Sequence, residues 1–250
     1  MVLQVNQLVK EYRKFRAVDN LNFSVAPGEI VGILGPNGAG KTTALRCIAG
    51  ILRPTSGQIL IGGHDIVHQQ SKAKAFTAFV PEVPSLYELL TVDEHLKFVA
   101  MCFNRLDLYE AKGTELLDKY DLLEKKNELV ATLSKGMRQK LSVACAMVHD
   151  AKLFLFDEPL IGIDPKGVAE IKQEIHEAAA GGGSVLISTH LLDTAEKLCD
   201  RILIIARGKL LFDGTLASLR NNSHDQDASL ESLFLRLTGE SELATPPVSS

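Results

Sequence analysis

The sequence has few cysteines, no long apolar run and no excess of basic residues. The four cysteines in 250 residues form no C-x-x-C pair and no metal-ligand spacing, so we interpret them as reduced and mostly buried, as in a cytosolic protein. No apolar run approaches the roughly 18–20 residues of a membrane-spanning helix, and Lys10, Glu11 and Arg13 interrupt any signal-peptide core. With 27 basic against 31 acidic residues, the net charge is −4, unlike the basic footprint of a duplex-binding protein. These absences favour a cytoplasmic globular protein that neither enters a membrane unaided nor binds nucleic acid.

The sequence does contain short apolar runs separated by segments of helix length. The unbroken runs are residues 30–34, 153–156, 185–188 and 202–205. Such runs are typical of strands buried on both faces, and their alternation with helices indicates a parallel sheet of the α/β class. Residues 2–5 and 21–25 instead alternate, which is typical of half-buried antiparallel strands. We therefore predict an α/β core with an antiparallel β edge.

Between these strands, the pattern predicts helices alone. Thr91 and Glu94 form a T-x-x-E capping box before a run of apolar residues at helical spacing. Another helix is predicted to begin at Ser134. The predicted divisions are a core of residues 1–82 and 151–220, an inserted helical subdomain of residues 83–150, and residues 221–250 as a short amphipathic helix with a disordered tail.

A glycine-rich motif follows the first buried strand. Residues 35–43 match G-x-x-x-x-G-K-[ST], in which backbone N–H groups turn toward a polyphosphate, Lys41 reaches the β/γ oxygens and Thr42 offers a hydroxyl to Mg²⁺. The alternative, a glycine-rich turn with a surface lysine, does not explain the strand before and the helix after. The predicted nucleotide-binding residues of this motif are Gly35, Pro36, Asn37, Gly38, Ala39, Gly40, Lys41, Thr42 and Thr43.

Two acidic residues, Asp157 and Glu158, end the second buried run. The carboxyl ends of parallel strands are where α/β sheets bind ligands, so Asp157 is a candidate for the Mg²⁺ shell. Glu158 can then aim at a water that attacks the γ-phosphate. A solvated surface pair is hard to reconcile with so apolar a strand. Together with the glycine-rich motif, these acids predict a P-loop hydrolase of nucleoside triphosphates.

Residues 133–139 read L-S-K-G-M-R-Q and resemble the signature sequence of ABC ATPases, L-S-G-G-Q, with Lys135 and Met137 as departures. Over about residues 1–220, the chain resembles ABC transporter ATP-binding subunits. Ser134 is also explained as the N-cap of the following helix, and the two interpretations are compatible. The resemblance implies the ABC ATPase fold, with ATP and Mg²⁺ as ligands.

The resemblance also implies roles for three isolated residues. Tyr12 occupies the place of the aromatic residue that stacks on adenine. Asp164 matches the D-loop, although Asp before Pro is equally typical of a helix N-cap. His190, which follows a buried strand, matches the histidine that contacts the γ-phosphate. The implied catalytic residues are therefore Glu158, His190 and Lys41.

For assembly, the resemblance implies a head-to-tail dimer in which Ser134 and Gly136 of one subunit cover the ATP held by the other. The subunit would sit at the inner face of the membrane, bound to a separate permease. Residues 81–92 are similar to the branch of bacterial ABC ATPases that serve export-type permeases, with Glu82 where the family has glutamine. Glu82 is therefore a candidate metal ligand, the alternative being a solvated loop residue.

Four large apolar residues follow Glu82 closely, namely Leu86, Tyr87, Leu89 and Leu90. They predict a docking surface for the permease, unless they only pack the start of the helix that follows.

The resemblance thus implies the ATP-binding subunit of a bacterial ABC export transporter, hydrolysing ATP to ADP and phosphate. A soluble ABC-type ATPase acting on ribosomes or DNA is the alternative. Ribosome-directed relatives usually carry two ATPase units in one chain, and chromosome-type relatives insert a long coiled coil before the signature. The chain has one P-loop and no heptad repeats between Lys41 and Ser134, so this alternative is disfavoured. A module that binds ATP without hydrolysing it would be expected to lack Glu158.

Overall fold

The structure, a computed structural model, describes residues 1–222 and 229–239. Its strands are β1 (Leu3–Tyr12), β2 (Phe15–Val25), β3 (Ile30–Leu34), β4 (Ser56–Ile61), β5 (His64–Asp65), β6 (Thr77–Val80), β7 (Leu153–Asp157), β8 (Ser184–Thr189), β9 (Arg201–Ala206) and β10 (Lys209–Gly214). Its α-helices are α1 (Lys41–Ile48), α2 (Gln70–Ala75), α3 (Val92–Cys102), α4 (Leu106–Lys119), α5 (Lys135–Met147), α6 (Pro165–Ala180), α7 (Leu192–Leu198), α8 (Leu216–Asn222) and α9 (Leu230–Thr238).

The strands form two sheets. The larger has the order β10-β9-β3-β8-β7-β6, with β10 antiparallel to β9 and the other neighbours parallel. The smaller has the order β2-β1-β4-β5 and is antiparallel. The predicted α/β core with an antiparallel β edge is thus confirmed.

The order of the strands determines where the site forms. Strands β3, β8 and β7 are neighbours, with Leu34 opposite Thr189 and Ser188 opposite Asp157. Because all three run parallel, the loops after their carboxyl ends meet at one edge of the sheet. These loops carry the glycine-rich motif, Glu158 and His190.

Side chains of the central strands alternate between two hydrophobic clusters. Phe154 and Phe156 enter the cluster that includes residues of α3, α4, α5 and α6. Leu153 and Leu155 enter the opposite cluster, with α1 and the antiparallel sheet. The sheet is therefore covered on both faces, which explains why its strands are unbroken apolar runs.

Helices α3, α4 and α5 lie between β6 and β7 in the chain. Thr91 caps α3, and its side chain and that of Glu94 exchange hydrogen bonds with each other's backbone N–H, which confirms the capping box. These helices share one apolar cluster with Phe156 and Ile187 of the sheet. The helical segment is therefore packed directly onto one face of the core.

Several elements were absent from the sequence-based expectations. Strands β4, β5, β6 and β10 and helix α2 have at most six residues each, and none of them contains an unbroken run of buried residues longer than two, so the sequence signal for each is weak. The first two strands are also longer than expected, because their polar ends pair at an exposed edge. The weakly patterned elements are mostly those at the margins of the two sheets.

The predicted amphipathic helix near the end of the chain is confirmed as α9. Leu230, Leu233 and Phe234 are buried in it, whereas Leu237 is 40% exposed. Of the tail expected at 239–250, only Gly239 is among the described residues, so that prediction falls almost wholly outside them. No helix in the described ranges combines the length and apolarity needed to span a membrane.

Candidate functional site

The glycine-rich loop packs closely at one end against β9 and at the other end against β2. A Cβ on Gly35 would lie 2.3 Å from the carbonyl oxygen of Ile205, and one on Gly40 would lie 2.3 Å from that of Ala17. Gly40 also has a φ of 105°, which favours glycine. At Gly38, by contrast, an added Cβ would meet nothing within 4 Å. The loop is therefore fixed at its ends and open in its middle.

Lys41, the first residue of α1, folds back over this loop. Its Nζ donates to the carbonyl oxygens of Gly35 at 2.6 Å and Pro36 at 3.3 Å, and lies 3.8 Å from Glu158 Oε1. Burial lowers the pKa of Lys41, and the negative charges of Glu158, Asp157 and Glu82 oppose that shift. The ammonium group is thus held at the start of the loop, between two carbonyl oxygens and the Glu158 carboxylate.

Asp157 is completely buried at the end of β7. Its Oδ1 accepts hydrogen bonds from Thr42 Oγ1 at 3.0 Å and Ser188 Oγ at 2.7 Å. In the described part of the chain, its Oδ2 has no hydrogen-bond partner. A buried carboxylate oxygen without a donor is costly, and carboxylate and hydroxyl oxygens are ligands that Mg²⁺ prefers. Asp157 and Thr42 therefore fit a divalent cation.

Glu158 has a backbone φ of 47°, a left-handed value that is uncommon outside glycine. Its N–H donates to Ser188 O and Ser188 Oγ, both at 3.1 Å, which holds this conformation. The buried carboxylate lies beside His190, whose Nδ1 is 3.0 Å and whose backbone nitrogen is 3.3 Å from Oε2. Strained backbone is often found at functional positions, and here it aims a carboxylate at the open loop.

A cavity of about 430 Å³ brings many of the candidate residues together. Its lining contains Tyr12, residues 37–43, Glu82, Glu158 and His190, together with Phe15, Ala17 and Ile161. This volume falls in the usual range for small-molecule sites. Tyr12 is 43% exposed, with Lys10 Nζ 5.1 Å from its ring centroid. The lining of the cavity thus combines aromatic, cationic and acidic side chains.

Sequence reasoning missed several residues of this site. Ser188 forms hydrogen bonds with both Asp157 and Glu158. In the sequence it is marked only by being a polar residue within the apolar run of β8. Phe15, Ala17 and Ile161 line the cavity without any motif that marks them. Their contribution depends on which strands become neighbours.

Three predicted site residues are placed elsewhere. Ser134 caps α5, where its Oγ accepts from Met137 N at 3.3 Å, and Asp164 caps α6, where its Oδ1 accepts from Gly167 N at 3.0 Å. That second bond is the main reason why the pKa of Asp164 is lowered. A Cβ on Gly136 would meet nothing within 4 Å. None of the three lines the 430 Å³ cavity.

The described residues contain no cluster of three or more His, Cys, Asp or Glu side chains that could hold a metal ion. A cation beside Asp157 would therefore need oxygens from the bound substrate and from water. Mg²⁺ commonly binds in this way, through one or two protein carboxylates and substrate phosphates.

Comparison with known proteins connects this geometry to a family. The ABC transporter family profile matches residues 18–161. The ABC-type transporter ATP-binding protein EcsA of Bacillus subtilis is 36% identical over 240 residues, covering 96% of this chain and 97% of that protein. The SkfA peptide export ATP-binding protein SkfE of the same organism is 36% identical over 243 residues, covering 96% and 98%. A solved ATP-binding subunit of an ABC transporter superposes with a TM-score of 0.91 at 35% identity, covering 95% of this chain and 100% of that one.

Replacing Lys41 tests the geometry of the loop. Because charge-assisted bonds to phosphate contribute strongly, we expect Lys41→Met to weaken ATP binding by roughly 10–100-fold. Equilibrium titration with ATP measures this, with the exposed Lys72→Met as a control for loss of one positive charge. Equal affinities for the two variants would contradict the placement of Lys41 on the phosphates.

Proposed function

Because the chain belongs to the ABC transporter family of ATP-binding proteins and is an ATPase of that type, we propose that it hydrolyses ATP in a head-to-tail dimer to drive export through a separate membrane permease. The observation that carries the proposal is that Lys41, Glu158, His190 and Tyr12 line the same cavity. The direction of transport is inferred from a relative named for peptide export.

The proposed chemistry is attack of a water molecule on the γ-phosphorus of ATP. Glu158 accepts a proton from that water, the bond from the γ-phosphorus to the β–γ bridging oxygen breaks, and ADP and phosphate leave. Lys41 balances the charge of the β- and γ-phosphates. His190, half-exposed and 3.0 Å from Glu158 through Nδ1, contacts the γ-phosphate and orients the Glu158 carboxylate.

Mg²⁺ would be held by Asp157, whose Oδ2 has no donor within residues 1–222 and 229–239, and by the hydroxyl of Thr42. When bound, the ion neutralises phosphate charge. Glu82 is the third proposed ligand, since it is exposed on the lining of the same cavity and its charge acts on Lys41.

The dimer is proposed because Ser134, Gly136 and Asp164 do not line the 430 Å³ cavity of the subunit to which they belong. Ser134 is exposed at the start of α5, and the space beside Gly136 is open. A backbone N–H at the start of a helix with open space around it suits a phosphate. In a head-to-tail pair, these groups would cover the ATP of the partner subunit.

Glu158→Gln tests the proposed base. The amide retains the shape of the side chain but cannot accept the proton, so we expect ATP hydrolysis to fall by roughly 10²–10⁴-fold. ATP binding should survive, and ATP-bound dimers should accumulate on a sizing column. The exposed Glu115→Gln is the charge-matched control. If Glu158→Gln hydrolyses ATP at the parental rate, the base is misassigned.

The proposed docking surface for the permease consists of Val83, Tyr87 and Leu89, beside a cavity of about 560 Å³ between the core and α3 and α5. These side chains are 70%, 62% and 87% exposed, which is unusual for apolar residues grouped so closely. Of the other two predicted residues, Leu86 packs partly against the core and Leu90 is half-buried. An exposed apolar group beside a groove suits a short helix of a partner.

We expect Tyr87→Asp and Leu89→Asp to abolish co-purification with the permease while ATP binding stays intact, because a charge in an apolar contact is strongly unfavourable. The measurement is a pull-down with the proposed permease, to be sought among multi-span membrane proteins encoded near this chain. Leu211→Asp, at a residue on β10 that is 42% exposed, is the control. Unchanged co-purification of the first two variants would place the interface elsewhere.

Titration with Mg²⁺ tests Glu82. A carboxylate beside the triphosphate favours the metal complex, so Glu82→Gln should retain hydrolysis but shift the Mg²⁺ requirement. Glu82→Ala should weaken coupling to transport more than it weakens ATP binding. Superimposable Mg²⁺ curves for the wild type and both variants would mean that Glu82 is a solvated loop residue.

A further inference from the structure

Four charged side chains form an alternating ring between α5 and α6. Lys140 Nζ lies 3.1 Å from Asp121 Oδ2 and 2.8 Å from Glu170 Oε2. Lys166 Nζ lies 2.7 Å from the same oxygen of Asp121 and 3.5 Å from Glu170 Oε1. Each cation thus contacts both carboxylates. The ring joins the signature helix α5, the turn after α4 and the first turns of α6.

Lys140 is the buried member of the ring, with its side chain only 8% exposed. Burial by itself lowers the pKa of Lys140, but the nearby carboxylates of Glu170 and Asp121 outweigh it and the pKa is raised. Asp121 is presented from a left-handed turn, with a φ of 57°. Removing one partner of a buried ion pair is costly, because the remaining charge is left without compensation.

Close backbone approach accompanies the ring. A Cβ on Gly167, inside α6, would lie 3.3 Å from Lys140 Cε and 2.5 Å from Ile163 Cγ2. A Cβ on Gly162 would lie 3.0 Å from Lys135 Nζ. Glycine inside a helix is unfavourable. Its presence at 167 indicates that the side chains of Ile163 and Lys140 need the space that a Cβ would occupy. Side chains of α5 therefore lie against Gly162, just before α6, and against Gly167 in its first turn.

Both helices begin at residues assigned to the partner's nucleotide. Ser134 caps α5 six residues before Lys140, and Asp164 caps α6 six residues before Glu170. We propose that Lys140 is a positioning residue for ATP hydrolysis, which fixes Ser134 and Asp164 relative to each other through the ring with Asp121, Lys166 and Glu170. This inference rests on the proposed head-to-tail dimer.

A second set of ion pairs on α6 provides a matched control. Lys119, at the end of α4, lies 2.5 Å from Glu174 Oε2 and 2.7 Å from Glu177 Oε2. These pairs also join the helical segment to α6, but they do not include α5 and lie toward the other end of α6. Lys119→Met removes a comparable cation without touching the proposed linkage.

The experiment compares Lys140→Met, Lys140→Arg and Lys119→Met by kcat, KM for ATP, equilibrium ATP binding and thermal midpoint. Misplacement of catalytic groups by about 1 Å can lower rates by about 10²-fold, so we expect Lys140→Met to lower kcat by roughly 10–100-fold. The affinity of Lys140→Met for ATP should stay within about two-fold of the wild-type value, because the ring does not line the ATP cavity of the same subunit. Lys140→Arg should restore most of the rate, and Lys119→Met should leave kcat nearly unchanged.

In the Glu158→Gln background, Lys140→Met should also require more ATP for dimer formation on a sizing column. If Glu158→Gln alone fails to dimerise with ATP, the proposed dimer is wrong. If it dimerises, and Lys140→Met has normal kcat and normal dimerisation, the role of Lys140 is overturned. An equal loss of kcat in Lys119→Met would also overturn it, since any link to α6 would then suffice.

If Lys140→Met does not fold, Glu170→Gln and the more exposed Lys166→Met replace it, and a normal kcat in both overturns the proposal.

Discussion

The carboxylate of Asp157 connects the parts of the nucleotide site across the sheet. It accepts hydrogen bonds from Thr42, at the start of α1, and from Ser188, on the neighbouring strand β8. Its second oxygen is buried and has no donor among the residues that the structure describes. Two hydroxyl groups only partly compensate a fully buried negative charge, so the site is arranged to gain from a cation. The position of the glycine-rich loop and of Glu158 depends on this contact, because both are adjacent in sequence to its members.

The parts of the fold predicted from sequence are those encoded locally. The apolar runs at β3, β7, β8 and β9 are each buried on both faces, and no antiparallel surface strand produces such a run. The caps at Thr91 and Ser134 also depend only on nearby residues. By contrast, β6 has four residues and becomes a strand only because β7 lies beside it.

The candidate site divides in the same way. Glycine-rich loops and strand-end acids have fixed spacing, so their residues could be named from the sequence. The role of Ser188 requires the register between β7 and β8, and the left-handed backbone of Glu158 is stabilised by that same serine. Neither follows from residue types along the chain. Residue roles that involve a second subunit stay predictions, because their partner surface is formed by another molecule.

The small cluster at the carboxyl-terminal side has a practical consequence for where the chain may be cut. Leu230, Leu233 and Phe234 of α9 share a hydrophobic cluster with Leu34 and Ile204, although the family profile matches only residues 18–161. Leu34 is the residue immediately before the glycine-rich loop. An expression fragment that ends before Leu230 would expose this apolar surface to water and remove the packing against Leu34. Fusion tags and truncations are therefore better placed beyond Gly239 than before Leu230.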